Sequence, residues 1–327
     1  MSSIRYSTRG FASRTFKAEM SMKNPSLQDG AAEGLTAAET PFQRFVANYF
    51  ESRVAAVAFF GLVVILILGF FAPLISPTDP YDLAQVDVLD SRLVPGSESY
   101  TGMTYWLGTD GAGRDLLSAI LYGLRTSLSV GVLSGLIALC IGGAVGLIAA
   151  YFGGKVETLI MRVVDIQLGF PAILVALVLV ALLGKGVDKI IIALVVVQWA
   201  YYARTVRGSA LVERRKEYIE AATCLALSHR RIVFRHLLPN CLPPLIVVGT
   251  LQTAHAISLE ATLSFLGIGL PITEPSLGLL IANGFEYMLS QKYWISFFPG
   301  IALLITIISI NLVGDQLRDV LNPRLQK

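Results

Sequence analysis

The stretch EYIEAATCLALSHRRIVFRHLLPN, residues 217–240, is polar and basic, yet it joins two of the most apolar segments in the chain. Its first eleven residues are largely good helix formers, and Ser228 can cap a second short helix that extends to Leu237. Three prolines, Pro239, Pro243 and Pro244, are expected to end that helix and to open the next apolar segment. The pattern predicts a helix–turn–helix, which we call the elbow (residues 217–240).

The rest of the chain has the composition of an integral membrane protein. Of its 327 residues, 54% are hydrophobic and 15% are charged, and the mean hydropathy is +0.65. Soluble domains are about 45–50% apolar and about 25% charged. A bilayer-spanning helix needs about 20 apolar residues. Six uncharged segments therefore predict an all-α protein with six transmembrane helices, the fourth being short: 55–75, 126–154, 166–184, 190–203, 237–259 and 293–314.

The distribution of basic residues predicts the orientation. Lys and Arg are concentrated before the first span, in the loop 204–236 and at the carboxyl end, whereas the segment 76–125 is mainly acidic. Basic loops mark the cytoplasmic side, so both termini and the elbow are expected there in a multi-pass protein of the bacterial inner membrane. The first 18 residues are compatible with a disordered cytoplasmic tail or with an organellar transit peptide.

These patterns divide the chain into four expected parts. They are a cytoplasmic tail (1–53), a first span with its outer loop (54–123), a core of five spans with a cytoplasmic loop at 204–240 (124–315), and a second cytoplasmic tail (316–327).

Several kinds of chemistry have no sequence signature here. The chain contains no G-x-x-x-x-G-K-[ST] phosphate loop, no H-E-x-x-H zinc motif and no nucleophile elbow. Three scattered cysteines give no metal-ligand spacing. We therefore expect no catalytic, cofactor-binding or metal site in this chain, and no ATP bound through a phosphate loop.

The elbow resembles the "EAA" loop of permease subunits in ATP-binding-cassette (ABC) importers. The matching residues are Glu220, Ala221, Ala222, Leu238 and Pro239. The family usually has Gly where this chain has Ala226, and a left-handed turn there would cost Ala about 1 kcal/mol.

Further motifs match in the same order along the chain. They resemble the second, C-type permease of dipeptide, oligopeptide and nickel importers, which have the type I importer fold. The motifs are YWLGTDGAGRDLLSAILYGLRTSLSVG (105–131), WAYYARTVRGSALVERRKEYIEAA (199–222), RHLLPN (235–240), LEATLSFLGIGLP (259–271) and NLVGDQLRDVLNPR (311–324).

The resemblance implies a set of partners: a homologous B-type permease, two ATPase subunits that hold ATP and Mg²⁺, an extracytoplasmic binding protein and the lipid bilayer, with no nucleic acid. It also implies that the elbow couples the chain to the ATPases. Glu220 would pair with a basic residue, and Ala221 and Ala222 would allow close approach. The full set of expected coupling residues is Glu217, Glu220, Ala221, Ala222, Ala226, Leu238 and Pro239.

A few polar residues lie within the predicted spans. Gln252 and His255 share one helical face, which suits a translocation path or a hydrogen bond between helices. Glu260 is expected near the outer interface, as part of an outer gate, as a contact with the partner permease or as a solvated charge. Arg162 and Asp165, three residues apart, are expected to form an ion pair.

Other functions stay open at this stage. The elbow could be an amphipathic helix that binds anionic lipid headgroups, and Arg214, Arg215 and Lys216 suit that role. The chain could also be a stand-alone secondary transporter or channel, or a membrane-embedded enzyme. Dipeptides, oligopeptides, nickel chelates, glutathione and opine-like compounds are all possible substrates.

Overall fold

The computed structural model describes residues 40–80, 82, 86–100, 102–271 and 274–321. The chain divides into two units, Met1–Asn48 and Tyr49–Lys327. The described part of the first unit belongs to helix α1, Pro41–Phe50. The expectations for the tail before residue 40 lie outside the described residues, as do those for the tail after residue 321.

The second unit is mostly helical, because helices satisfy every backbone hydrogen bond within an apolar segment. Its helices are α2 (Arg53–Phe70), α3 (Ala72–Ile75), α4 (Leu116–Phe152), α5 (Gly154–Gly169), α6 (Ala172–Leu183), α7 (Val187–Arg214), α8 (Glu217–Cys224), α9 (His229–Phe265), α10 (Leu277–Phe285) and α11 (Trp294–Leu321). Short 3₁₀ turns lie at Val88–Asp90 and Met288–Ser290. Two short antiparallel strands, β1 (Ser97–Glu98) and β2 (Thr104–Tyr105), form a hairpin.

Among the described residues, five helices are long and apolar enough to cross a membrane: α2, α4, α7, α9 and α11. A sixth span is obtained when α5 and α6 are taken together, although they meet at an angle of 89°. The segment 166–184 is therefore broken rather than a single straight span. Pro171 begins α6 and forces Phe170 into an extended conformation, with φ of −92° and ψ of 141°.

The fourth span is a longer helix than its 14 uncharged residues suggest. Helix α7 has 28 residues and continues through Arg204 and Arg207. These two side chains form ion pairs with Asp165 and Glu157 of α5, so the charges join two helices instead of ending one. The predicted pair between Arg162 and Asp165 is wrong, because Asp165 pairs with Arg204.

Helices α4 and α7 pack closely along a seam of small residues. A Cβ added at Gly142 would lie 2.2 Å from the carbonyl oxygen of Trp199, and one at Gly146 would lie 2.3 Å from that of Ala203. These two glycines therefore allow the close packing of α4 against α7. Gly143 differs from them, because a Cβ added there would meet nothing within 4 Å.

The end of the bundle opposite the elbow, which we call the far end, comprises the last turns of α9 and the segments that join α3 to α4 and α9 to α11. Both of these joining segments contain short elements of secondary structure. Between α3 and α4, Asp90 is buried and accepts hydrogen bonds from the hydroxyls of Ser99 and Tyr105. Between α9 and α11, the chain forms α10, which lies so close to α9 that a Cβ at Gly278 would be 2.3 Å from the carbonyl oxygen of Ala261.

Candidate functional site

The first half of the elbow is the eight-residue helix α8, which is shorter than the predicted 217–227. One face of α8 is buried, because Ile219 and Ala222 pack with Ile232 at the start of α9. The opposite face exposes Glu217, Glu220 and Ala221. The two alanines of the motif therefore have different positions: Ala221 faces outward, whereas Ala222 is 5% exposed and lies beneath the helix.

The turn after α8 is left-handed. Ala226 has φ of 52°, so an Ala adopts here the conformation that Gly reaches without steric cost. An L-residue in this region costs about 1 kcal/mol. The turn stays closed through hydrogen bonds from the Ala226 and Leu227 amides to the carbonyls of Thr223 and Ala222, at 3.0 and 3.2 Å.

The second half of the elbow is continuous with the next span, so the prediction that the prolines separate them is wrong. Helix α9 runs from His229 to Phe265, with a π-helical segment at Ile232–Leu237. Pro239 lies at the start of the α-helical part, where a missing amide costs little, and Pro243 and Pro244 lie inside it. Leu238 is half-buried and Pro239 is exposed. The Ser228 side chain makes no capping hydrogen bond.

A chain of hydrogen bonds fastens α8 to both flanking spans. The Tyr218 hydroxyl donates to the carboxylate of Glu213, which is buried at the end of α7. The Asn240 amide of α9 donates to the same hydroxyl oxygen at 3.0 Å, and to the His236 carbonyl at 2.7 Å. Burial and the bond to Glu213 raise the pKa of Tyr218 to about 12, so this hydroxyl keeps its proton at neutral pH. Sequence reasoning missed all three anchoring residues, since their contacts come from separate helices.

The basic residues at the end of α7 are partly engaged within the protein. Arg214 donates to the Ala150 carbonyl at 2.9 Å and lies over the Tyr151 ring, 6.0 Å from its centroid. Lys216 pairs with Glu213 at 2.7 Å. Tyr151 also bonds through its hydroxyl to Nδ1 of His229. The start of α9 is thus held against the end of α4, while α8 is held against α7 and α9.

A second group of polar residues lies on α7 and α9, and we call it the polar seam: Gln198, Tyr202, Gln252 and His255. Gln252 and His255 both lie on α9, and the Gln198 amide of α7 donates to the Gln252 carbonyl at 3.3 Å. Gln198 and Tyr202 are fully buried. Of the eight buried side-chain atoms that lack a hydrogen-bond partner in the described part of the chain, four belong to this group: Gln198 Oε1, Tyr202 OH, Gln252 Nε2 and His255 Nδ1. The sequence signal for Gln198 and Tyr202 was available, because both are polar residues in an apolar segment.

Glu260 lies at the far end of α9 and is fully buried. Its carboxylate accepts hydrogen bonds from Ser127 of α4 at 2.9 Å and from Ser264 at 2.8 Å, and it also bonds to the side chain of Ser276, which caps α10. The alternative of a solvated charge is therefore wrong. A direct contact with a partner permease also fails, because the side chain has no exposed surface. Glu260 instead ties together α4, α9 and α10.

The fold, the elbow and the polar seam together define a permease subunit, and comparisons with known proteins agree. Residues 142–327 match the family described as binding-protein-dependent transport system inner membrane component. Residues 40–95 match the N-terminal transmembrane domain of oligopeptide transport permease C. The chain belongs to the family of binding-protein-dependent inner membrane permeases.

Relatives place it more narrowly. It is 42% identical over 266 residues to a putative peptide transport system permease protein of Brucella suis, which covers 81% of this chain and 87% of that protein. It is 39% identical over 289 residues to the dipeptide transport system permease protein DppC of Escherichia coli, covering 88% and 95% of the two chains. The predicted C-type permease of the peptide ABC importer family is confirmed.

A solved structure supports the fold. A chain of the MetNI methionine ABC transporter, in an inward-facing conformation, aligns with a TM-score of 0.52 and 22% identity. The alignment covers 62% of this chain and 96% of that chain. At this identity the likeness shows the all-α importer fold and nothing about substrate.

Proposed function

We propose that this permease moves di- or oligopeptides, or similar small solutes, into the cytoplasm, and that its elbow transmits force from separate ATPase subunits. The observation that carries the proposal is the two-sided construction of α8. Its inner face and Tyr218 are fastened to the spans, whereas Glu220 and Ala221 on its outer face are exposed.

This construction supports the action of a lever. The hydrogen-bond chain from Glu213 through Tyr218 to Asn240 joins α7, α8 and α9, so a displacement of α8 moves both spans. A flexible loop would absorb the same displacement. The small outward side chain of Ala221 allows a partner surface to approach closely, and the carboxylate of Glu220 offers a charge-assisted bond to a basic residue.

Two partner ATPases would bind ATP and Mg²⁺ and carry out hydrolysis, because this chain has no phosphate-binding loop. The chain would also associate with a B-type permease, with which it would share the path, and with an extracytoplasmic receptor. The elbow and both termini would face the cytoplasm of a bacterium, in agreement with the positions of Lys and Arg. Transport would proceed by alternating access.

The seam between α7 and α9 supports a path through the bundle. Buried polar atoms without partners are costly inside a membrane, and they mark places where water or a polar solute is needed. Gln252 and His255 are the predicted path residues, and Gln198 and Tyr202 now join them. Glu260 would act at a distance from solute, by holding α10 at the outer end of the path.

A charge reversal tests the coupling. Glu220→Lys should abolish co-purification of the ATPase subunits and reduce peptide uptake at least about tenfold, while the permease still inserts in the membrane. The matched control is Glu286→Lys, an exposed carboxylate at the far end, which should keep the ATPases bound. If the Glu220→Lys variant kept both ATPase binding and uptake, the elbow would have no coupling role.

A second experiment tests the substrate class. The receptor encoded with this chain should be purified and its bound ligand identified by mass spectrometry. Peptides of two to several residues support the proposal, since the relatives named above are peptide permeases. A nickel chelate or an opine would overturn the peptide assignment and leave the coupling mechanism intact.

A further inference from the structure

An apolar cleft lies between α4 and α9 at the elbow end of the bundle, and its lining includes no residue of α8 or of the polar seam. It has a volume of about 560 Å³. Its walls are Leu139, Gly143 and Leu147 of α4 and Leu238, Leu242 and Leu245 of α9. Since a Cβ at Gly143 would meet nothing within 4 Å, this glycine leaves the cleft open while its neighbour Gly142 packs against α7.

The mouth of the cleft is basic. Arg230 and His229 line it, and Tyr151 on the opposite wall is held by His229 and Arg214. Exposed Arg231 and Arg235 follow on the same segment. An apolar cleft lined at its mouth by Arg230 and His229 is complementary to a molecule with one hydrocarbon part and one anionic end.

We propose that this cleft binds one anionic glycerophospholipid of the surrounding leaflet, with an acyl chain between α4 and α9 and the phosphate against Arg230. Both helices are candidate membrane spans, so lipid is the solvent at this depth. The guanidinium of Arg230 can donate two parallel hydrogen bonds to a phosphate, and its attraction to a negative headgroup adds to burial of the chain.

The shape of the cleft suits a hydrocarbon chain. The α4 wall extends over residues 139–152, about 20 Å at 1.5 Å per residue. A single acyl chain can lie along this wall with its charged end at the basic mouth.

The test uses the assembled transporter, reconstituted in vesicles that contain phosphatidylglycerol or phosphatidylcholine with a photoreactive group in one acyl chain. After illumination, mass spectrometry locates labelled peptides. The phosphatidylglycerol probe should label peptides from residues 139–152 and 229–245 at least about fivefold more than the phosphatidylcholine probe. Cys140, which lines the cleft, can be alkylated as an independent probe of occupancy.

Two pairs of variants separate the acyl and headgroup contributions. Gly143→Leu should fill the cleft and reduce labelling there at least about fivefold. Gly300→Leu is its control, because a Cβ at Gly300 also meets nothing within 4 Å, and it should leave labelling unchanged. Arg230→Gln should remove most of the preference for phosphatidylglycerol, whereas Arg215→Gln, exposed on α7's end but outside the cleft, should keep it.

Two results would overturn the proposal. One is equal labelling by the two probes in the unmodified transporter, which would show that the basic mouth selects no headgroup. The other is absence of label from the cleft peptides together with cross-links from Cys140 to another subunit or to the segment before residue 40, which would show that protein fills the cleft. Neither result depends on transport or on ATPase binding, so the proposed function is tested separately.

Discussion

Two glutamates of this permease occupy opposite environments, and the contrast shows how the two ends of the bundle differ. Glu220, at the elbow end, is exposed on the outer face of α8. Glu260, at the far end, is fully buried and bonded to serines of α4, α9 and α10. A buried carboxylate with internal donors stabilises a fixed arrangement, whereas an exposed one is available to a separate protein. The far end is therefore held in a fixed arrangement by internal hydrogen bonds, whereas the outer face of α8 is available as a contact surface.

The largest effect on stability is expected for substitution of Glu260. Glu260→Ala leaves the hydroxyls of Ser127, Ser264 and Ser276 without their common acceptor, which should cost about 2–4 kcal/mol. Thermal unfolding of the purified complex should show a clear fall in Tm. Glu286→Ala, an exposed control, should change the free energy of unfolding by less than about 0.5 kcal/mol. Equal stability of the two variants would remove the contrast.

The anchor of the elbow should produce a smaller effect on stability and a larger effect on coupling. Tyr218→Phe removes the hydroxyl that joins Glu213 to Asn240 and should cost about 1–2 kcal/mol. ATPases should still bind, but peptide transported per ATP should fall several-fold. Tyr293→Phe, an exposed tyrosine at the far end, is the control. Unchanged coupling in Tyr218→Phe would show that α8 needs no rigid attachment.

The left-handed turn at Ala226 predicts that one substitution increases the stability of the permease. Ala226→Gly removes the cost of φ at 52°, offset in part by the entropy of Gly, so the permease should be stabilised by about 0.5–1 kcal/mol. Ala221→Gly, within α8, should have the opposite sign and a similar size. Tm values of the two variants check this prediction, and a loss in both would mean that the turn carries no strain.

The smallest effect is expected for the ion pair between Arg204 and Asp165, because more than half of each side chain is exposed. Arg204→Gln should reduce the free energy of unfolding by less than about 1 kcal/mol. A loss as large as that of Glu260→Ala would show that charges between α5 and α7 matter more than their exposure suggests.

The sequence predicted features that depend on composition and local backbone preference. Apolar segments located the spans, and a run of good helix formers located α8. Sequence reasoning failed where contacts with neighbouring helices determine the structure. Pro171 lies at a break of 89° between two helices, whereas Pro243 and Pro244 lie within a continuous α9. Proline chemistry alone does not distinguish these cases, because tertiary packing decides whether the helix continues.

In the candidate site, too, the sequence predicts local features but not those that depend on tertiary contacts. The motif identified α8, but it could not separate Ala221 from Ala222, because burial depends on where Ile232 lies. The charge of Glu260 was visible, but its serine partners come from positions 127, 264 and 276, which only the folded chain brings together. Contacts between distant segments carry no local signal in a single sequence.

Cross-linking from α8 in intact membranes tests the central claim most directly. In a background where Cys140, Cys224 and Cys241 are replaced by Ala, Ala221→Cys and Ala222→Cys would be treated with a short bifunctional maleimide. We predict capture of the ATPase subunit from position 221, and at least about tenfold less capture from the buried position 222. No capture from position 221, or equal capture from both positions, would contradict the account of α8 as a two-sided lever.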